Sequence, residues 1–295
     1  MEELAPTLVW ALEKFVPLRS VKEFLVAGDF LYGYGRDAVR EYIEREGRGA
    51  SSRPTLLTKL VVGNKETGAE PLSDEEIVVE VSNLMFAAVD TTGTSATYAL
   101  YELACNPGWQ RRLQQEIRTS GVGKKGFEYR TVSELPVLNA VVTENLRMHP
   151  AAPSALPRQT VGPVTVIDGL PLPEGILVSM QAMTTQRDPA YFPDPDKFDP
   201  ARWLAPGPDG KEQIFPGTPE MQEMMLVWGG KGGPRSCPGR YMATMEMKLL
   251  LARLMDRYTV ALESEATHDD MVMTDHFALI PKGGRCGLVV SRHDV

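Results

Sequence analysis

The chain has 295 residues, 43% of them hydrophobic, with 31 Lys+Arg against 39 Asp+Glu for a formal net charge of -8. That length and apolar content suit one large core or two small ones. The acidic balance, with no dominant Lys/Arg cluster, excludes a nucleic-acid partner, which needs a basic face.

Three cysteines, Cys105, Cys237 and Cys286, lie far apart and form no Cys-x-x-Cys pair, so neither a disulfide framework nor a zinc site is indicated. No apolar run reaches the ~18 residues of a membrane span. The opening MEELAPTLVW is acidic and lacks the basic start of a signal peptide. The expectation is a reduced, intracellular chain, soluble or at most peripheral.

In chain order, apolar residues at Phe24, Leu25, Leu31, Val39 and Ile43 follow a period near 3.6 and predict a helix over 21–46, which stops at GRGASSRP. The short runs from Arg45 to Arg53 read as solvated turns, and 55–62 is a shorter helix. Ser73 and Glu76 form a capping box that opens the longest apolar stretch, through to Cys105. Being apolar on nearly all sides, that helix is expected to cross the core. Asn106-Pro107 ends it, and GWQRRLQQEI continues as a more polar helix. A further helix runs from Pro136 to His149, closed by Pro150.

Beyond it, VGPVTVIDGLPLPEGILVSM predicts paired strands, followed by a proline-rich meander, the loop WGGKGGPRSCPGR at 228–240 and a long helix. MVMTDHFALIPKGGRCGLVVS predicts a closing hairpin around Gly283-Gly284. No linker separates two domains, so 1–295 reads as one mainly α domain with small β-sheets.

The loop is not a P-loop, which needs Gly-Lys-Ser/Thr where this one has Gly-Lys-Gly, and no strand with Gly-x-Gly-x-x-Gly precedes the helix. Nor does it suit a phosphatase-like nucleophile, which would want an arginine where Ala243 stands. A thiolate metal ligand needs backbone N–H groups aimed at sulfur, a helix N-terminus and glycines that let a flat group approach. Cys237 has all three, with Pro238 suited to the first helical turn and Arg235 placed to hold an anionic group on the same ligand. On chemistry alone, a buried structural cysteine explains Cys237 equally well.

Gly233-Pro234-Arg235-Ser236-Cys237-Pro238-Gly239 resembles the heme-binding loop of the cytochrome P450 superfamily of heme-thiolate monooxygenases. Other stretches share the resemblance. Glu144 and Arg147 in ENLRMHP match the family's Glu-x-x-Arg helix, and Arg202 in FDPARW its meander arginine. AAVDTT at 87–92 matches the acid-alcohol pair of the central helix. A buried helix seldom tolerates an unpaired carboxylate, which gives Asp90 a reason to be functional; the alternative is threonines back-bonding to helix carbonyls with the aspartate reaching solvent. The segment from His149 to Trp203 is similar to the strand region, and TDHFALIPKGGRCGLVV to the last hairpin, with its tip near Phe277 and Ala278. The pattern is most like fungal members.

The resemblance implies a partial cytochrome P450 fold and a heme cofactor. Cys237 would be the axial iron ligand, Arg235 and Arg158 would bind propionates, and Gly233 and Gly239 would belong to the cofactor loop. It further implies Asp90 and Thr91 as a proton relay and Glu144, Arg147 and Arg202 as a structural brace. Ala87, Ala88, Pro153, Ser154, Ala155, Leu156, Phe277 and Ala278 would line a substrate pocket. O2, a small hydrophobic substrate and an NADPH-dependent reductase are the implied partners, and family members are often membrane-bound in the endoplasmic reticulum.

Three departures stand out. Gly230 takes the place of the family's aromatic residue, with Trp228 expected to shield the sulfur instead. Ala88 replaces a glycine and stiffens the helix. The resemblance covers only the family's C-terminal part, implying an N-terminally truncated form without anchor or first helices and strands. Two rivals follow from that length: a non-catalytic remnant that binds a hydrophobic metabolite or a partner protein, and a heme-independent catalyst using the remaining pocket.

Overall fold

A computed structural model describes residues 19–49, 55–63, 68, 70–230 and 232–293, with side chains from Val26 onward. The acidic start, the side chains of Phe24 and Leu25, residues 50–54 of the solvated stretch and Lys231 of the loop lie outside the described residues. The chain divides into two compact units, 1–89 and 90–295.

In the first unit, helices α1 (Arg19–Glu46), α2 (Leu56–Val62) and the start of α3 (Asp74–Cys105) enclose a small core of Val39, Tyr42, Val61 and Ile77. Tyr42 Oη is 2.7 Å from Thr58 Oγ1, tying α1 to α2. α1 and α3 approach closely at Gly35, where a Cβ would collide with Ser82 Oγ and come within 3.2 Å of the Val78 carbonyl. The capping box forms as the sequence predicts: Glu76 N–H donates to Ser73 Oγ at 3.3 Å, and Ser73 N–H donates to Glu76 Oε2 at 2.9 Å. Together they satisfy two donors that a helix start leaves without partners.

The second unit is built around α6 (Pro136–Met148), preceded by α4 (Pro107–Ser120) and the short α5 (Tyr129–Val132). Its Leu138, Val141 and Val142 pack with Leu103 of α3, Leu113 and Ile117 of α4, and Met247, Leu251 and Met255 further along the chain. Each such buried side chain contributes ~1.5–3 kcal/mol. Glu116 of α4 accepts from the N–H groups of Val137 (2.7 Å) and Leu138 (2.9 Å), capping α6 from outside.

Then come β1 (Ala155–Gln159), β2 (Thr165–Ile167), β3 (Leu170–Leu172), β4 (Leu177–Gln181) and α7 (Ala182–Thr185). A 3-10 turn (Pro200–Trp203), β5 (Leu204–Pro206), β6 (Glu212–Ile214) and α8 (Pro219–Met224) follow. The last stretch holds α9 (Arg240–Arg257), β7 (Tyr258–Leu262), α10 (Ala266–Asp270), β8 (Met273–His276), β9 (Ala278–Pro281) and β10 (Leu288–Arg292). The strands form five antiparallel pairs, β1–β4, β2–β3, β5–β6, β8–β9 and β7–β10. The architecture is mainly α with small sheets, and no helix among the described residues is long and apolar enough to cross a membrane.

Two expectations need correction. The closing hairpin does not turn at Gly283-Gly284; β8 and β9 reverse at Phe277, and β10 pairs with β7 instead. Helix α3 is not buried along its whole length: Ile77 sits in the first unit's core and Ala96, Tyr98, Ala99 and Leu103 are buried in the second, whereas Phe86 to Asp90 are exposed. Apolar character on all sides permits burial, but only packed neighbours produce it.

Candidate functional site

Glu144 and Arg147 of α6 are fully buried and meet in a two-pronged ion pair, with Arg147 Nε 2.9 Å from Glu144 Oε2 and Nη2 2.9 Å from Oε1. The helical spacing of three residues brings the two side chains onto one face. The same carboxylate accepts from Arg202 Nε (3.2 Å), Asp199 N–H (3.0 Å) and Trp203 Nε1 (2.9 Å). Arg147 Nη1 donates to the Gln186 carbonyl at 2.8 Å, and its guanidinium lies 5.3 Å from the centre of the Phe192 ring. Every charge in this cluster therefore has fixed partners, the condition under which a buried pair is tolerated. Sequence reading found Glu144, Arg147 and Arg202 but missed Trp203, Asp199 and Gln186. The tryptophan adjoining Arg202 was a signal; Gln186 gave none.

Gln186 also connects this cluster to the cysteine loop. Its side chain donates to the carbonyls of Leu146 (3.1 Å) and Arg147 (2.8 Å), and its Oε1 accepts from the Leu226 N–H at 2.8 Å. Two residues on, the Trp228 carbonyl accepts from the Cys237 N–H at 2.9 Å, so the loop is pinned at both ends. Gly229, Gly230, Gly232 and Gly233 have φ between 80° and 120°, a region that side chains other than glycine rarely enter. At Gly229 a Cβ would stand 3.0 Å from the Arg235 carbonyl.

Cys237 is exposed and carries no disulfide. It lies just ahead of the 18-residue α9, whose first turn closes with Ala243 N–H donating to Gly239 O at 2.9 Å. Pro238 stands outside the helix, one residue before the Gly239 cap, and not in the first turn as expected; the ladder begins with Gly239 as acceptor and leaves no place for it there. The Trp228 side chain packs against the main core, and its carbonyl accepts from the Cys237 N–H. The loop thus offers a thiol before a helix N-terminus, with open space where side chains would stand at Gly230, Gly232 and Gly233. A flat macrocycle can approach that backbone, so these residues fit the heme that the resemblance implies.

The remaining predicted residues are spread over several elements. Arg235 is exposed on the loop, and Arg158 is exposed on β1, its Nη1 donating to the Pro157 carbonyl at 2.8 Å. Ala87 and Ala88 belong to the first unit, Asp90 and Thr91 to the second, along one unbroken helix. Asp90 is exposed, so its carboxylate reaches solvent and is not held in a buried stretch of helix. Pro153 is buried, Ser154 and Leu156 are half-buried, and Ala155 is exposed. Ser154 Oγ donates to Asp275 Oδ2, which brings the 153–156 segment to the Phe277 hairpin. A cavity of about 630 Å³ in the first unit, lined by Tyr32, Val39, Ile43 and Val78 among others, contains none of these residues.

Beneath the hairpin lies a buried polar group that sequence reading also missed. His149, which caps α6, has Nε2 2.8 Å from Glu102 Oε1 and stacks on Tyr98 at 4.3 Å. Burial pushes its imidazole below the ordinary histidine range, against the opposing pull of Glu102. Tyr98, whose Oη donates to the Met271 carbonyl at 3.2 Å, is pushed up to about 12 by burial and by Cys286.

Comparison with known proteins agrees with this geometry. The family model "Cytochrome P450" matches residues 7–287. The chain is 32% identical over 280 residues to "Cytochrome P450 monooxygenase tazI" of Aspergillus terreus, covering 92% of this chain and 53% of that protein. It is 29% identical over 281 residues to "Cytochrome P450 monooxygenase orf2" of Aspergillus niger, covering 94% and 53%. Against human "25-hydroxyvitamin D-1 alpha hydroxylase, mitochondrial" it is 36% identical over 201 residues, covering 67% and 36%. The chain spans about half the length of the fungal relatives it matches. With the Glu144 cluster behind a glycine-bounded cysteine loop, and a family match over nearly its whole length, the chain belongs to the cytochrome P450 family.

Proposed function

We propose that this chain is the cofactor-binding portion of a heme-thiolate monooxygenase that places one oxygen atom from O2 into a small hydrophobic molecule, of the kind used in fungal secondary metabolism. The observation that carries the reading is the exposed Cys237 sulfur, held before the α9 N-terminus by a backbone bond to Trp228. In this reading Cys237 ligates the iron, and Arg235 and Arg158 hold the propionates by charge-assisted bonds. Gly233 and Gly239 leave the backbone bare for close approach, and a Cβ at Gly239 would stand 3.9 Å from the Cys237 sulfur.

The heme, when bound, supplies dioxygen activation with electrons from an NADPH-dependent reductase. This chain's residues bind, orient and move protons. Asp90, exposed on α3, takes protons directly from solvent, and Thr91 beside it passes them inward. Glu144, Arg147 and Arg202 fix the meander and, through Gln186, the entry to the cysteine loop. Within the second unit, Ala155, Leu156, Phe277 and Ala278 present apolar surface to substrate.

The test is the carbon-monoxide difference spectrum of the reduced, heme-supplied chain. A strongly red-shifted Soret band is expected, and Cys237→Ser should abolish it while leaving the far-UV circular dichroism unchanged. A soluble protein that takes up heme without that band overturns the reading. A second reading, a non-catalytic binder of hydrophobic molecules, is favoured by the exposed apolar residues Val161, Val166, Leu170 and Leu177. Low heme occupancy with a hydrophobic molecule retained through purification would decide for it.

A further inference from the structure

The β8–β9 hairpin reverses through a single residue. His276 and Ala278 are register partners, so the whole turn falls on Phe277, whose φ is +77°. A one-residue turn with positive φ is a strained conformation that a bulky residue seldom adopts without something to hold it. Phe277 is 77% exposed, so burial alone does not account for the turn.

One side chain braces the turn from both sides. Asp275 Oδ1 accepts from the Phe277 N–H at 3.0 Å, and Asp275 Oδ2 accepts from Ser154 Oγ. Leu279 N–H donates to the Ala151 carbonyl at 2.9 Å, so the hairpin is tied twice to the segment leading into β1. Both carboxylate oxygens are thus engaged with Ser154 and the turn itself, while Phe277 stands exposed beside them.

We infer that Asp275 is a positioning residue: through Ser154 it latches the 153–156 segment to the hairpin and pre-sets the Phe277 ring as a rigid lip for a neutral, apolar ligand with a planar ring. Preorganising the ring avoids an ordering cost when the ligand arrives. The inference rests on the reading of Phe277 as substrate-facing, and its test separates the two.

The full chain and its Asp275→Ala, Asp275→Asn, Ser154→Ala and Phe277→Ala variants are compared by hydrogen exchange of the 274–279 peptide and by titration with Nile red, a neutral planar probe. Loss of the brace in Asp275→Ala should speed exchange at the turn by about tenfold and leave the β7–β10 amides unchanged. Asp275→Asn keeps an oxygen for the Phe277 N–H and should restore most of the protection. Nile red should bind about fivefold more weakly to both Asp275→Ala and Phe277→Ala, with the double variant no weaker than Phe277→Ala alone. Wild-type exchange and binding in Asp275→Ala, or additive losses in the double variant, overturn the positioning role. Undiminished binding in Phe277→Ala sinks the substrate-facing reading and the ligand half of the inference, and the exchange measurement then judges the latch by itself.

Discussion

Glu144→Gln is the sharpest test of what holds the second unit together. Five donors converge on this carboxylate: Arg147 Nε and Trp203 Nε1 on Oε2, and Arg147 Nη2, Arg202 Nε and Asp199 N–H on Oε1. Glutamine keeps one oxygen and turns an NH2 group toward whichever set it abandons. In its better orientation Arg147 Nε and Trp203 Nε1 face a donor, and a fully buried guanidinium has lost its counter-charge. Each unsatisfied buried donor costs about 1–3 kcal/mol, and stripping one partner from a buried ion pair costs about 3–5 kcal/mol. These overlap, so the expected destabilisation is about 4 kcal/mol, a large share of the ~5–15 kcal/mol available to a domain.

Urea unfolding followed by circular dichroism at 222 nm measures it. A Glu144→Gln midpoint and slope equal to the parent's would refute the claim that this carboxylate organises the core. Arg202→Ala should cost less, because Arg202 is partly exposed and makes a single 3.2 Å contact with Glu144.

Two further outcomes are expected. Because burial lowers the His149 pKa in the folded state, the folded chain binds fewer protons than the unfolded one below the ordinary histidine value of about 6.5. The stability this residue contributes is complete above that value and is lost as pH falls from it toward the lowered folded value; His149→Gln should flatten the pH dependence of the unfolding free energy in that window, and an unchanged slope would count against the assignment. Gly229→Ala combines a Cβ 3.0 Å from the Arg235 carbonyl with a φ of +80°. It should weaken heme uptake in a Soret titration by about tenfold, the effect of ~1–2 kcal/mol of loop strain, and parent-like uptake would remove the steric argument.

The signals that the sequence carried were local. The Ser73–Glu76 box, the prolines that start α4 and α6, and the three-residue spacing of Glu144 and Arg147 each act within one helical turn, so neighbouring residues suffice to specify them. The cysteine loop was legible for the same reason, since its glycines and Arg235 adjoin Cys237 in the chain. Its main-chain pairing was less so: the Trp228 carbonyl accepts from the Cys237 N–H, and no side-chain pattern announces a main-chain group.

Tertiary packing decided everything that joins residues far apart. Trp203 reaches Glu144 across 59 positions and Gln186 accepts from Arg147 across 39, because α6 and the meander fold onto each other. The same holds for β10 pairing with β7, for the Ser154–Asp275 contact that fixes Phe277, and for the exposure of Asp90 on a helix whose composition suggested burial. Composition shows that a segment can be buried; which neighbours arrive to cover it, and which donor meets a given acceptor, is settled only when the whole chain has minimised its exposed apolar surface and paired its polar groups at once.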